Sequence, residues 1–187
     1  MIFLEKILSL KINNIFIFSD EGLKYIPNIQ HLFLPRNNNI TDNGLIYISN
    51  IKYLDLSTND HITNNGLKYI SSIRHLNLKY CKNITGDGLK YISNIRHLNL
   101  EFNNNITDNG LKYIPNVEYL NLCSNIKITD KGLIYIPNVE SLSLYNNKNI
   151  TYIGLKYIPN VKHLELNFNS NVMNSDLKFI SGIGHYK

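Results

Sequence analysis

The fold is decided by residues 106–125, which read Ile106-Thr107-Asp108-Asn109-Gly110-Leu111-Lys112-Tyr113-Ile114-Pro115-Asn116-Val117-Glu118-Tyr119-Leu120-Asn121-Leu122-Cys123-Ser124-Asn125. The same pattern returns 22 residues earlier and 22 residues later, and the spacing never slips. Its Ile-Thr pair marks the register at Ile40, Ile62, Ile84, Ile106, Ile128 and Ile150. A fixed period of this length is typical of a solenoid, in which each coil packs only against its neighbours. We therefore predict one domain over residues 1–187, with degenerate half-repeats at 1–17 and 172–187.

Each repeat contains a Leu-x-Leu segment, for example Leu98-Asn99-Leu100. Alternation puts the two leucines on one face and the residue between them on the other, which predicts a short, half-buried strand. Three residues after the second leucine comes an asparagine, or Cys81 in one repeat. A short polar side chain at that point can satisfy backbone groups where the chain leaves the strand, and stacked coils would turn it into a ladder.

The second half of each repeat predicts one short turn of helix. Its threonine, such as Thr41, is suited to cap that turn, and the glycine column indicates close packing or an unusual backbone angle. Apolar residues then recur three apart, and proline follows in several repeats, so only one α or 3₁₀ turn fits. We also expect the aromatic column of this half to stack ring on ring and seal the gap between coils. Its members are Phe3, Tyr25, Tyr47, Tyr69, Tyr91, Tyr113, Tyr135, Tyr157 and Phe179.

The pattern LxxLxLxx(N/C)xxIT(D/N)xGLxxI resembles the leucine-rich repeat family over nearly the whole chain. Cys81 and the Ile-Thr-Asp-x-Gly-Leu segment look most like the cysteine-containing repeats of F-box proteins, although we expect no F-box segment before the repeats. The resemblance implies an α/β architecture: a right-handed solenoid with a parallel β-sheet on its concave face and short helical or 3₁₀ turns on the convex side. It also implies that a ligand, usually a protein, binds to the concave face.

The exposed residues of the concave face are those that flank the strand leucines. The position before the first leucine reads His31, Tyr53, His75, His97, Tyr119, Ser141 and His163, with His185 in line. Adjacent strands lie roughly 4.8 Å apart, so His75 and His97 should be close neighbours. We predict that Tyr53, His75, His97 and Tyr119 form the centre of a partner-binding surface. Asn77, Asn99 and Asn121 lie beside them, and Arg74 and Arg96 lie on the rim.

Three interpretations of this column remain open. His75 and His97, with Glu101, suggest a metal site, but zinc prefers three or four ligands in a tetrahedral arrangement and a flat ladder offers two in line. Duplication of a well-packed column would produce the same pattern without a ligand. A recognition surface is the third interpretation, because Tyr and His combine contact area with hydrogen bonding. Histidines would also make binding sensitive to pH.

The net charge of +5 raises nucleic acid as a partner. The concave face and its rim carry about as many acidic as basic residues, whereas a phosphate-binding surface concentrates basic ones. A separate column on the convex side is most simply a solvated face; it contains Lys24, Lys68, Lys90, Lys112, Lys156 and Lys178. We therefore expect no nucleic-acid partner.

Other classes of protein find little support in the sequence. No apolar run approaches the roughly 18 residues of a membrane span, and Glu5 and Lys6 interrupt what would be a signal core. Cys81 and Cys123 stand in different repeats and suggest no disulfide framework, which fits a reducing compartment inside the cell. We therefore expect an intracellular protein, in the cytoplasm. There is no phosphate-binding loop, no HExxH and no CxxC. We expect no cofactor and no catalysis.

The sequence therefore predicts a non-enzymatic scaffold that binds a protein partner through its concave face. One alternative, which comes from the resemblance, is a substrate-recognition module of a ubiquitin-ligase assembly whose adaptor is a separate chain. The other is a structural solenoid that assembles end to end, because neither end shows a capping motif and bare strand edges favour pairing.

Overall fold

The computed structural model describes residues 9–11, 18–169, 171–172 and 185–186. Within them lies one nine-stranded parallel sheet, whose strands follow each other in chain order. The strands are β1 Ser9–Lys11, β2 His31–Phe33, β3 Tyr53–Asp55, β4 His75–Asn77, β5 His97–Asn99, β6 Tyr119–Asn121, β7 Ser141–Ser143, β8 His163–Glu165 and β9 His185–Tyr186. The predicted α/β solenoid with its parallel sheet is confirmed. Most of the two half-repeats lies outside the described residues.

The strands pair in the register that the repeat predicts. His75 lies opposite His97, which in turn lies opposite Tyr119. Backbone hydrogen bonds hold both pairs of strands together. The His97 amide donates to Arg74 O at 2.9 Å, and the Tyr119 amide donates to Arg96 O at 2.9 Å. Each repeat therefore places equivalent residues side by side on the sheet.

The return side of each described coil begins with a short helical segment. The predicted single turn is confirmed in four coils, whereas in three others the segment continues as 3₁₀ helix and covers seven residues. The α-helices are α1 Asp20–Leu23, α2 Asp42–Leu45, α3 Asn64–Leu67, α4 Asp108–Leu111, α5 Asp130–Leu133 and α6 Tyr152–Leu155. Turns of 3₁₀ helix cover Ile46–Ile48, Lys68–Ile70 and Gly86–Ile92. The predicted threonine caps are confirmed in four coils, where the hydroxyl accepts from the amide two residues on: Thr41, Thr63, Thr129 and Thr151. No helix within the described residues is long and apolar enough to cross a bilayer.

The core is a continuous column of leucine, isoleucine and valine between the sheet and the turns. The predicted asparagine ladder runs beside it and is buried. Asn103 Nδ2 donates to Leu78 O at 2.8 Å, and Asn125 Nδ2 donates to Leu100 O at 2.8 Å. Cys81 occupies the same column, and its thiol lies 3.1 Å from Leu56 O. From Asn37 to Asn147, each coil thus uses a buried polar side chain to satisfy a carbonyl group of the preceding coil.

Carboxylates at the helix starts join successive coils. Asp108 Oδ1 accepts a bond of 2.8 Å from the Thr129 amide, and Asp108 Oδ2 accepts one of 2.6 Å from the Thr129 hydroxyl. The same pair of bonds joins Asp42 to Thr63. The glycine column lies against these carboxylates: a Cβ atom on Gly132 would come 2.5 Å from Asp108 Oδ1. The glycine is therefore required by the carboxylate of the preceding coil, which confirms the prediction of close packing.

The acidic residue is replaced at two of the described junctions. Asn64 keeps the contact with an amide, which bonds to the backbone and hydroxyl of Thr85, whereas Gly86 has no side chain to make it. The two coils approach more closely there: a Cβ atom on Gly110 would lie 2.6 Å from Gly86 Cα. Thr107 accepts no capping bond, and the preceding turn is a seven-residue 3₁₀ helix instead of an α-turn. Backbone contact between two glycines substitutes for the missing side chain.

The expectation that the outer tyrosines stack on each other is wrong. Between Tyr25 and Tyr157, no two rings of this column are in contact, and Tyr25 is 56% exposed. Lysines lie over some of the rings instead: Lys90 Nζ is 4.9 Å from the Tyr91 ring centroid, and Lys112 Nζ is 4.9 Å from that of Tyr113. A cation over an aromatic face gives this attraction. Phe3 and Phe179 lie outside the described residues.

The inter-coil carboxylate can be tested with a double-mutant cycle. We expect Asp108→Ala to lower the free energy of unfolding by about 1–3 kcal/mol, because Thr129 loses an acceptor for two donors. Gly132→Ala should cost a similar amount, about 1–3 kcal/mol, because its methyl group meets the carboxylate. In the Asp108→Ala background the cost of Gly132→Ala should fall by at least about 1 kcal/mol. Urea unfolding measures the free energy of unfolding of the wild type, the two single variants and the double variant.

Asp87→Ala is the matched control, since Asp87 is an exposed carboxylate in the neighbouring turn. Its effect should stay within about 0.5 kcal/mol. Additive costs of the two substitutions would contradict the packing of glycine against carboxylate.

Candidate functional site

Four rings form a continuous stack across the exposed face of the sheet. We call Tyr53, His75, His97 and Tyr119 the ring ladder. Centroid distances are 6.0 Å from Tyr53 to His75, 4.0 Å from His75 to His97 and 4.1 Å from His97 to Tyr119. The predicted proximity of His75 and His97 is confirmed. Phe33, which the sequence interpretation left out of the site, extends the ladder with its ring 4.7 Å from that of Tyr53.

The ladder follows from the strands beneath it. In β4, β5 and β6 the ring residue and the asparagine two positions later point away from the core, and the leucine between them is buried. A parallel pairing without slippage then brings the rings into one line, because strands in a sheet are separated by about the thickness of a stacked ring. The exposed aromatic surface is a consequence of the register.

A row of amides runs beside the ring ladder. The side-chain oxygens of Asn99 and Asn121 each accept a bond of 2.9 Å from the backbone amide two residues later. Asn77 accepts in the same way, and its Nδ2 donates to Asp55 at 3.0 Å. These bonds fix which way each amide faces. Among the described residues no acceptor pairs with Nδ2 of Asn99 or Asn121, so both groups are available as donors on the face.

The rings and amides enclose a shallow depression of about 440 Å³. The structure brings the predicted Tyr53, His75, His97 and Tyr119 together in its lining. The three predicted asparagines also line it, and at one end the structure adds two serines that were not predicted. The lining residues are Tyr53, His75, Leu76, Asn77, His97, Leu98, Asn99, Tyr119, Leu120, Asn121, Ser141 and Ser143.

The two predicted rim arginines lie outside this depression. Arg74 Nη1 donates to Asn94 O at 2.6 Å. Arg96 Nη1 lies 2.8 Å from Glu118 Oε1 and also donates to Asn116 O at 3.1 Å. Both guanidinium groups therefore connect one coil to the next at the edge of the sheet.

Charges around the face are paired between neighbouring coils. Lys79 lies 2.8 Å from Glu101, and Lys162 lies 2.8 Å from Glu140. Glu101 is therefore engaged by a lysine and is not directed at a metal position beside the histidines. No group of three or more His, Cys, Asp or Glu that could hold a metal ion occurs in the described part of the chain.

The environment of the ladder favours the neutral form of His97. Burial lowers the pKa of His97 below its usual value, and the neighbouring His75 lowers it further, against an opposing attraction from Glu118. The stacked imidazole is therefore uncharged at neutral pH and offers hydrogen bonds and contact area instead of a positive charge.

The two thiols are not activated. Burial raises the pKa of Cys81 to about 12. Burial also raises the pKa of Cys123, whose Sγ lies 2.8 Å from Ser143 Oγ. Both remain thiols at neutral pH, whereas the nucleophile of a cysteine enzyme is a thiolate.

Comparisons with known proteins place the fold. The profile of the leucine-rich repeat family matches four successive segments, residues 27–49, 47–71, 69–93 and 93–114. The structure is similar to that of internalin C2 from Listeria monocytogenes, with 27% sequence identity, a TM-score of 0.75, and coverage of 96% of this chain and 80% of that chain. Internalin F from the same bacterium is 25% identical with a TM-score of 0.74, over 98% of this chain and 56% of that chain.

A chain of the yeast Rad7 and Elc1 complex is also similar, with 18% identity and a TM-score of 0.62, over 74% of this chain and 42% of that chain. That likeness shows the fold alone. Among curated proteins, none matches the sequence. The strict repeat, the parallel sheet in repeat register, the family match over residues 27–114 and the internalin structures agree: the chain has the fold of leucine-rich repeat proteins.

Proposed function

We propose that the protein is a non-enzymatic scaffold that binds a protein partner through its concave face. The ring ladder (Tyr53, His75, His97 and Tyr119) would form the centre of the contact. Asn77, Asn99 and Asn121 would contribute the polar contacts beside it, and Arg74 and Arg96 the rim. The observation that carries this proposal is the stack itself: His75, His97 and Tyr119 are held about one ring thickness apart on an open surface.

Stacking prepares these rings for binding. A side chain that is already held by its neighbours loses little conformational freedom when a partner covers it, so more of the contact energy appears as affinity. Tyrosine is also enriched among the residues that dominate binding energies. Tyr119 is 41% exposed despite its contact with His97, which leaves area to bury.

The polar surroundings favour a protein over a polyanion. An interface typically surrounds an aromatic centre with hydrogen-bonding groups, and the donors of Asn99 and Asn121 suit the carbonyl groups of a polypeptide. Two basic residues at the edges are paired with glutamates, Arg96 with Glu118 and Lys162 with Glu140. A nucleic-acid surface would need those cations for phosphates.

The absence of catalysis and the location inside the cell are parts of the same proposal. The high pKa of Cys81 and the raised pKa of Cys123 support a non-catalytic role, because neither is a thiolate at neutral pH. Both cysteines are free and buried, which fits a reducing compartment such as the cytoplasm.

Two alternatives remain as predictions. The ubiquitin-ligase module rests on repeat resemblance, since the similarity to the Rad7 and Elc1 complex concerns the fold alone. End-to-end assembly is compatible with a sheet in which β1 and β9 each pair on one side among the described strands. Light scattering that shows a size rising with concentration would favour assembly over partner binding.

The ring ladder is tested by removing it. We expect the triple variant Tyr53→Ala, His97→Ala and Tyr119→Ala to weaken binding of a partner by at least about 100-fold, because central interface rings are typical hot spots. The partner is captured from the source cells by the wild-type chain, identified by mass spectrometry, purified and titrated by calorimetry. Circular dichroism establishes that the variant is folded at the temperature of the titration.

The matched control removes three tyrosines of similar exposure from the opposite side of the coils: Tyr47→Ala, Tyr69→Ala and Tyr135→Ala. The control should bind the partner within about threefold of wild type, as expected for residues outside an interface. Loss of binding in the control, with retention in the ladder variant, would overturn the proposed site.

Binding should also depend on pH through His97. Burial already lowers its pKa, and a partner that covers the ring would lower it further, so the complex binds fewer protons than the free protein. Affinity is then full above the usual histidine pKa of about 6.5 and declines as pH falls through the lowered value.

Titrations between pH 8 and pH 5 measure this effect. His97→Gln should flatten the profile, and His61→Gln, which changes an exposed histidine in a loop, should leave it unchanged. A profile that stays the same in His97→Gln would show that this imidazole does not titrate in the interface.

A further inference from the structure

The ring ladder stops at one strand and leaves an opening beside it. His97 covers one face of Tyr119, with the two rings inclined by only 8°. The opposite face of Tyr119 is directed along the sheet towards β7, where the residue in register is Ser141. The next residue in line is His163 of β8. A hydroxymethyl group thus occupies a position that a ring occupies in the five preceding coils.

The opening has the width of one planar group. Tyr119 and His163 stand on strands two spacings apart, which corresponds to roughly 9–10 Å across the sheet. Contact distances of about 3.5–4.0 Å on each side leave room for a single flat group over Ser141, and a second would not fit. Ser141 and Ser143 both line the depression, so the opening is continuous with the proposed binding surface.

A carboxylate lies at the edge of this opening. Ser143 Oγ donates to Glu165 Oε2 at 2.6 Å, which draws the glutamate side chain towards β7. Glu101, Glu118 and Glu140 each pair with a lysine or arginine. In the described part of the chain no cation pairs with Glu165. The opening therefore combines an aromatic face with a carboxylate that has no counter-charge among the described residues.

We propose that this opening, between Tyr119 and His163 over Ser141, receives an arginine side chain of the protein partner. This inference rests on the proposed function and names the chemistry of the partner at one position. The guanidinium group would stack on the free face of Tyr119, and its N–H groups would donate to the Glu165 carboxylate. Arginine suits both contacts, because its guanidinium is planar, stacks on aromatic rings and matches a carboxylate with two donors.

Other side chains satisfy only part of this site. A tyrosine or tryptophan would stack on Tyr119 but would cover Glu165 without supplying a charge, and an unpaired carboxylate removed from water is costly. A lysine would supply the charge, but its compact, strongly hydrated ammonium group does not fill a flat opening. The combination of one planar space and one carboxylate selects arginine.

The test uses the full chain, labelled with ¹⁵N, and three probe peptides observed by NMR. The probes are acetyl-Gly-Arg-Gly-amide, acetyl-Gly-Lys-Gly-amide and acetyl-Gly-Tyr-Gly-amide. We expect the arginine peptide to shift the signals of Tyr119, Ser141 and Glu165, with a dissociation constant at least about tenfold lower than those of the lysine and tyrosine peptides.

Two variants separate the contacts. Ser141→Tyr fills the opening with a ring that can stack on Tyr119, and Glu165→Gln removes the charge while keeping the shape. Each substitution should weaken binding of the arginine peptide by at least about tenfold. Ser71→Tyr adds the same ring at an exposed serine of a turn and should leave its binding unchanged. If the tyrosine peptide binds as tightly as the arginine peptide, or no peptide shifts these signals, the proposal is overturned.

Failure of this inference and failure of the proposed function give different results. One outcome is that the purified partner binds the Ser141→Tyr variant at wild-type affinity and fails to bind only the triple ladder variant. That result overturns the arginine site and supports the ring ladder as the binding face. If the arginine peptide occupies the opening but the triple variant still binds the partner, the arginine site is supported and the ladder as interface centre is not.

Discussion

The carboxylate at the start of a helical turn holds one coil in register with the next, and the rest of the structure depends on that register. Asp108 accepts from both the amide and the hydroxyl of Thr129, and the space that its side chain needs is the reason for Gly132. The threonine at the same time caps its own turn. Three columns of the repeat therefore form one contact, and where Gly86 interrupts the acidic column the two coils meet backbone to backbone instead.

The exposed face is a consequence of this contact on the opposite side of the coil. Because the register does not slip, equivalent side chains meet across the sheet, and the rings of His75 and His97 lie 4.0 Å apart. A one-residue slip would send the leucines outward and the rings inward. The same regularity makes an exception informative: Ser141 interrupts the ladder, and Glu165 lies beside the interruption with its charge unpaired among the described residues.

Much of the architecture could be predicted from the sequence because the repeat amplifies weak local signals. The strands, the helical turns, the threonine caps and the line of rings all follow from columns that recur every 22 residues. The role of the acidic column could not be predicted in this way, since a carboxylate in a first helical turn is common and its acceptor function depends on a different coil. The outer tyrosines were misinterpreted because spacing alone cannot distinguish a ring that stacks on a ring from one covered by a lysine.

One backbone feature of the coils could not be predicted from the sequence either. One residue per coil, two positions after the second strand leucine, has a positive φ between 57° and 61°; these residues are Arg36, Thr58, Tyr80, Phe102, Ser124, Asn146 and Phe168. Glycine would be expected in such a conformation, and β-branched and aromatic residues disfavour it. Inter-coil bonds stabilise it, as the Thr58 amide donates to Lys79 O at 2.7 Å. The sequence alone shows that a serine stands at position 141 of the ring column. That this serine leaves an aromatic face open follows only from the orientation of the Tyr119 ring, which stacks on His97.

Site-specific photocrosslinking in the source cells tests the central claim, that the concave face contacts a protein partner, most directly. p-Benzoylphenylalanine replaces Tyr119 on the face in one protein and Tyr69 on the outer side in another, two positions of similar exposure. The account predicts a covalent adduct with a partner protein from position 119 and none from position 69. An adduct that forms from position 69 alone would contradict it and assign binding to the outer turns.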